Sequence, residues 1–164
     1  MPLAVSSYEL SVFIHVTAVM VGFGATFAES VLFPVAMKMS PRNLPYVHRL
    51  QLTINQFFAA PALLIVIATG LYQMAEGNWE YGDFWVSGTL TIVVIIGVLL
   101  LAYFIPADRR LLPMIEREVA DAGTGDVKPS DAYMKAARNE GIAGSITGIL
   151  LVVAVFLMVT KPGL

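Results

Sequence analysis

An all-α polytopic membrane protein, built as an antiparallel four-transmembrane-helix bundle, is the fold class that this sequence predicts. Three observations carry it. Of 164 residues, 57% are hydrophobic and the mean hydropathy is +0.75, well above a soluble domain. Four apolar stretches are long enough to cross about 30 Å of hydrocarbon at about 1.5 Å per helical residue. Basic residues crowd two of the three connections and are missing from the other. The spans fall at 8–37, 52–74, 85–105 and 141–160, with a loop at 106–140, and the whole chain, 1–164, makes one transmembrane domain.

The first span holds only three strongly polar or ionisable side chains after residue 8: Glu9, His15 and Glu29. His15, Gly22 and Glu29 lie seven residues apart and therefore share one helix face, together with the small residues Ala18, Ala25 and Thr26. A histidine and a carboxylate cost several kcal/mol in lipid, so this face is expected to look into protein. No Lys or Arg precedes the span and it is too long for a signal-peptide core, so it reads as a retained helix. Pro34 frees the carbonyl of Ser30 and is expected to bend the helix there, as Pro61 is in the second span.

Orientation follows from Lys38, Arg42 and Arg49 in the first connection and Arg109, Arg110, Arg117, Lys128, Lys135 and Arg138 in the third. The second connection offers only Glu76, Glu80 and Asp83. The positive-inside bias puts the first and third connections in the cytoplasm and both termini outside, with Trp79, Tyr81 and Trp85 as outer anchors. Lys161 alone runs against this assignment. The third span, broken only by Ser87, Gly88, Thr89, Thr91 and Gly97, is expected to be the most lipid-exposed. After it, Leu111, Leu112, Ile115 and Val119 recur at helical spacing and predict a short cytoplasmic amphipathic helix between spans three and four. Ser130 or Asp131 then caps a further short helix. In the last span, Gly141, Gly144, Ser145 and Gly148 form overlapping small-xxx-small pairs, which pack against Gly22 of the first span or form a homo-oligomer face.

Matching depths across antiparallel helices groups the polar residues into two layers. Toward the cytoplasm, Glu29 falls level with Asn55, Gln56, Gly97 and Thr147. A carboxylate there serves either as a proton or ligand site or as a hydrogen-bonded clamp between helices. Toward the outside, His15 falls level with Thr69, Gly70 and Thr91, as a haem or metal ligand, a proton carrier or a structural histidine. His48 lies at the cytoplasmic mouth, on the order of 25 to 30 Å from His15 at the helical rise, too far to share one haem iron. It reads as an interfacial residue facing lipid phosphate beside Arg42 and Arg49. The eight methionines form no cluster within a span and read as packing.

Without cysteine there are no disulfides, thiolate metal sites, iron–sulfur clusters or covalently attached haem. A net charge of -2 argues against a nucleic-acid partner. No nucleophile–base pairing or phosphate-binding loop is present, which argues against a hydrolase or a nucleotide-driven pump.

The run Phe13-Ile14-His15-Val16-Thr17-Ala18-Val19-Met20-Val21-Gly22-Phe23-Gly24, with four short-looped spans, resembles small bacterial membrane proteins of the broad copper-resistance D-like group. That group includes the membrane protoporphyrinogen oxidase and several families of predicted integral membrane proteins of unknown function. The resemblance implies residence in the bacterial inner membrane, haem b as a cofactor and His15 as its ligand. The oxidase also relies on an intramembrane lysine, whereas no lysine here lies within a span, so the resemblance points to the uncharacterised relatives. The expected function is that of a lipid-embedded component handling haem or a metal ion, or relaying protons or electrons. The alternatives are a non-enzymatic assembly subunit of a homo-oligomer or larger membrane complex, and a small transporter working through Glu29, Asn55 and Gln56.

Overall fold

The computed structural model describes residues 5–163, and within them the chain forms four long helices: α1 (Ser7–Met39), α2 (Pro41–Glu76), α3 (Phe84–Asp121) and α4 (Asp131–Thr160). All four are long and apolar enough to span a membrane. Ser6 starts α1 with a capping box, its side chain accepting from the Glu9 amide while Glu9 reaches back to Ser6. Ser130 caps α4 by accepting from the Tyr133 amide, as expected, and is itself held by Glu118 through its amide and hydroxyl. Contacts between helices run in opposite order along the chain. His15 meets Thr69, Ser11 meets Gln73, Leu63 meets Gly97 and Gly88 meets Leu157, so neighbours are antiparallel.

The helices are longer than the predicted spans because the connections at one end are themselves helical. The predicted loop at 106–140 is mostly two helix ends: α3 runs without interruption to Asp121 and α4 starts at Asp131. The amphipathic stretch is therefore a continuation of the third span, with Ile105, Asp108, Leu111 and Ile115 along its buried stripe. Two wide π-helical turns, Asn55–Ala59 and Leu99–Phe104, each precede a proline, Pro61 and Pro106. There the Ala60 amide donates to the Asn55 carbonyl and the Ile105 amide to that of Leu100, five residues back. A turn of this kind absorbs the ring and the missing donor without breaking the helix.

Two hydrophobic clusters result. Ala36, Leu44, Val47, Leu111, Ile115, Tyr133 and Ala137 form a compact core at the end that carries nine of the ten Lys and Arg residues, called here the basic end. Trp85, Val86, Ile92, Ile96, Ala154 and Leu157 join α3 to α4 toward the other end. The third span is thus the most buried, with 28% of its most apolar window inside the bundle against 11%, 11% and 17% for the others. This reverses the expectation that it would be the most lipid-exposed. An aliphatic face serves equally well against lipid and against protein, so composition does not report which it meets.

Candidate functional site

A cleft of about 840 Å³ runs between all four helices. On α4 its wall extends from Met134 to Met158, about 36 Å at the helical rise, which is close to the thickness of a bilayer core. Most of the wall is apolar, formed by residues such as Ala18, Phe23, Ala62, Val66, Ile96 and Leu151. Its polar groups gather toward the basic end, where Glu29, His48, Gln51, Asn55, Glu140 and Thr147 face the cleft, with Lys135 and Arg138 nearby.

Local sequence explains how these side chains are presented. On α2, Leu44, Val47, His48 and Asn55 recur at helical spacing and are buried, and Asn55 opens the first π-helical turn. On α3, Asp108 shares a stripe with Leu111 and Ile115. On α4, Tyr133, Ala137, Glu140 and Thr147 form one buried row. These three rows meet in a polar knot behind the cleft. His48 Nδ1 lies 2.7 Å from Asp108 Oδ1, and His48 Nε2 lies 2.8 Å from the Tyr133 hydroxyl. One ligand atom each from His48, Asp108 and Glu140 lies within 4.8 Å of the others. All three residues are buried, Asp108 completely.

The knot is rich in carboxyl groups. Among the described residues, the ion pairs are His48–Asp108 and the surface pair Arg49–Glu116, so no Lys or Arg pairs with Glu29, Asp108 or Glu140. Glu29 Oε1 and Gln51 Oε1 are buried without a hydrogen-bond partner, and the Glu140 carboxyl and the Asn55 amide stand within hydrogen-bonding range of Asp108. Buried carboxylates are costly unless paired, hydrogen-bonded or bound to a cation. The arrangement is thus suited to holding positive charge.

Glu29, Asn55 and Thr147 all line the cleft, while Gln56 lies half-buried on α2 and is not among the cleft residues. Thr147 spends its hydroxyl on the Ala143 carbonyl. His15 stands apart from the cleft: its Nδ1 lies 2.8 Å from the Thr69 hydroxyl and its ring packs over Gly70. A porphyrin on His15 would therefore use Nε2, at a place separate from the carboxylate knot. Gly22 packs closely, since a side chain there would begin 3.6 Å from Ala62 Cβ. Around Gly144 and Gly148 nothing described lies within 4 Å of where a side chain would begin. They border a second groove of about 400 Å³ together with Thr26, Phe27 and Ser30.

His48, Asp108 and Tyr133 are the residues that sequence reasoning misses. His48 is 1% exposed, so it is a buried network residue and not an interfacial partner of lipid phosphate. The legible signal was Asp108, a carboxylate in register with Leu111 and Ile115 on the apolar stripe of an amphipathic helix. An acid placed on such a stripe must have a buried partner.

No curated protein and no solved structure matches the chain. A family of membrane proteins does match it, over residues 9–162, a range that takes in all of the four helices except Ser7 and Tyr8. The apolar spans and the match agree, and the chain belongs to the family described as Predicted integral membrane protein (DUF2269).

Proposed function

We propose that this protein binds a small cation inside the membrane, at the polar end of the cleft, and works as an ion-handling membrane component. One observation carries the reading: Glu29 and Glu140 line one end of a cleft about as long as a bilayer core is thick, Asp108 is buried behind them, and none of the three has a Lys or Arg ion pair. Intramembrane carboxylates are expensive and mark ion or substrate sites. The apolar remainder of the cleft excludes bulk water and strengthens the attraction of the knot for positive charge. Reconstitution into sealed liposomes tests this with protons, Na⁺ and Mn²⁺, each reported by an internal dye. At least one is expected to move faster than in protein-free liposomes, and Glu29→Gln is expected to abolish the difference. Rates equal to protein-free liposomes for all three would overturn the reading.

A second reading is favoured by the unfilled groove beside Gly144 and Gly148, where small residues would let a helix of a second copy approach closely. The protein is then an assembly subunit, and its cleft is completed by a neighbour.

A further inference from the structure

The knot contains more than scattered acids: it joins an imidazole and two carboxylates from three different helices, α2, α3 and α4. We infer that His48, Asp108 and Glu140 form a site for a first-row divalent metal ion. This deepens the cation-binding reading and rests on it. The ligand atoms lie within 4.8 Å of one another. A cation with bonds of about 2.0 to 2.2 Å holds its ligand atoms roughly 3 to 4 Å apart, so side-chain rotation within the knot suffices to close it.

A separate observation points the same way. Asp108 is 0% exposed, its Oδ1 is taken by His48, and the Glu140 carboxyl and the Asn55 amide stand against the same carboxylate. Two buried carboxyls in contact must share a proton or a cation, and a coordinated cation meets that need. The metal would replace the hydrogen shared between His48 Nδ1 and Asp108 Oδ1. His48 Nε2–H then donates to the Tyr133 hydroxyl, the outer-shell bond that usually orients a metal-ligating histidine. One imidazole with carboxylates suits Mn(II), Fe(II), Co(II) or Zn(II). Soft Cu(I) finds no thiolate, and Ca²⁺ and Mg²⁺ prefer all-oxygen shells. Tyr133 is here a positioning residue, not a ligand.

The test uses the full chain in detergent, stripped with a chelator and titrated with Co(II), followed by competition with Zn(II). One equivalent is expected to bind with visible ligand-field absorption. Asp108→Asn and Glu140→Gln are each expected to weaken binding by at least tenfold, and Tyr133→Phe by roughly ten- to hundredfold. The exposed control Asp126→Asn is expected to bind as the wild type does. If the ligand variants do not fold, the wild type still decides the matter, because bound Mn(II) should show nitrogen hyperfine coupling from one imidazole. Failure of the folded wild type to bind a stoichiometric metal, or binding without that coupling, overturns the site. Proton or Na⁺ flux without metal binding would overturn the metal site and leave the broader cation reading standing, whereas metal binding without flux would leave the site standing and overturn only the transport part of that reading.

Discussion

Tyr133 shows how much a single hydroxyl can carry in a dry interior. Its ring belongs to the hydrophobic core at the basic end, while its oxygen is the only described partner of His48 Nε2. Tyr133→Phe keeps the packing and leaves that nitrogen buried and unpaired, which costs about 1 to 3 kcal/mol. Thermal unfolding of the detergent-solubilised protein should therefore move to lower temperature, while Tyr46→Phe, at a position 74% exposed, should leave it unchanged. Equal melting of Tyr133→Phe and wild type would show that the network contributes nothing to stability. At this scale the sequence reveals partners only when they share a helix or a depth. Glu29, Asn55 and Thr147 could be aligned by counting residues inward from the membrane ends. His48, Asp108 and Tyr133 could not, because they lie in the connections outside the predicted spans, where depth has no meaning until the fold is known.

The helices themselves were legible as apolar runs, and their hidden length has a physical cause. Pro41, Pro45, Pro106 and Pro129 make the connections at the basic end look irregular, yet proline suits the first turn of a helix, and a π-helical turn precedes Pro106. What joins these ends to the spans is mutual burial of Leu44, Val47, Leu111 and Ile115, a pairing that the helical spacing of Leu111 and Ile115 does not reveal. Helix pairing makes sharper demands. A Cβ at residue 22 would stand 3.6 Å from Ala62, an ordinary contact, so Gly22→Ala should be nearly neutral. The further carbons of Gly22→Leu would force α1 away from α2 and cost about 1 to 3 kcal/mol. Gly144→Leu and Gly148→Leu meet open space and should melt like the wild type. If a second copy fills the groove beside them, the same two variants convert a dimer into a monomer in sedimentation or cross-linking, and an unchanged oligomeric state rules the groove out as the interface.

For the molecule as a whole, charge distribution makes a stronger statement than net charge. Nine basic residues, from Lys38 to Arg138, belong to the end that holds the polar knot. The tenth, Lys161, lies at the other end, with its ammonium 3.9 Å from the Trp79 ring centre and 5.2 Å from that of Trp85. The two indole faces hold that ammonium by cation–π attraction, and one cation weighs little against nine at the opposite end. The positive-inside bias favours a cytoplasmic basic end, and with it a cytoplasmic mouth beside Lys135 and Arg138. The connection between Glu76 and Phe84 is then expected to face outward. The absence of cysteine makes this directly measurable, since any introduced thiol is the only one in the chain. Gly82→Cys and Thr124→Cys stand at exposed positions in opposite connections. In intact cells a membrane-impermeant maleimide should label Gly82→Cys and spare Thr124→Cys, and both should react once the membrane is permeabilised. The reverse pattern would invert the molecule and set the carboxylate knot to draw its cation from outside the cell.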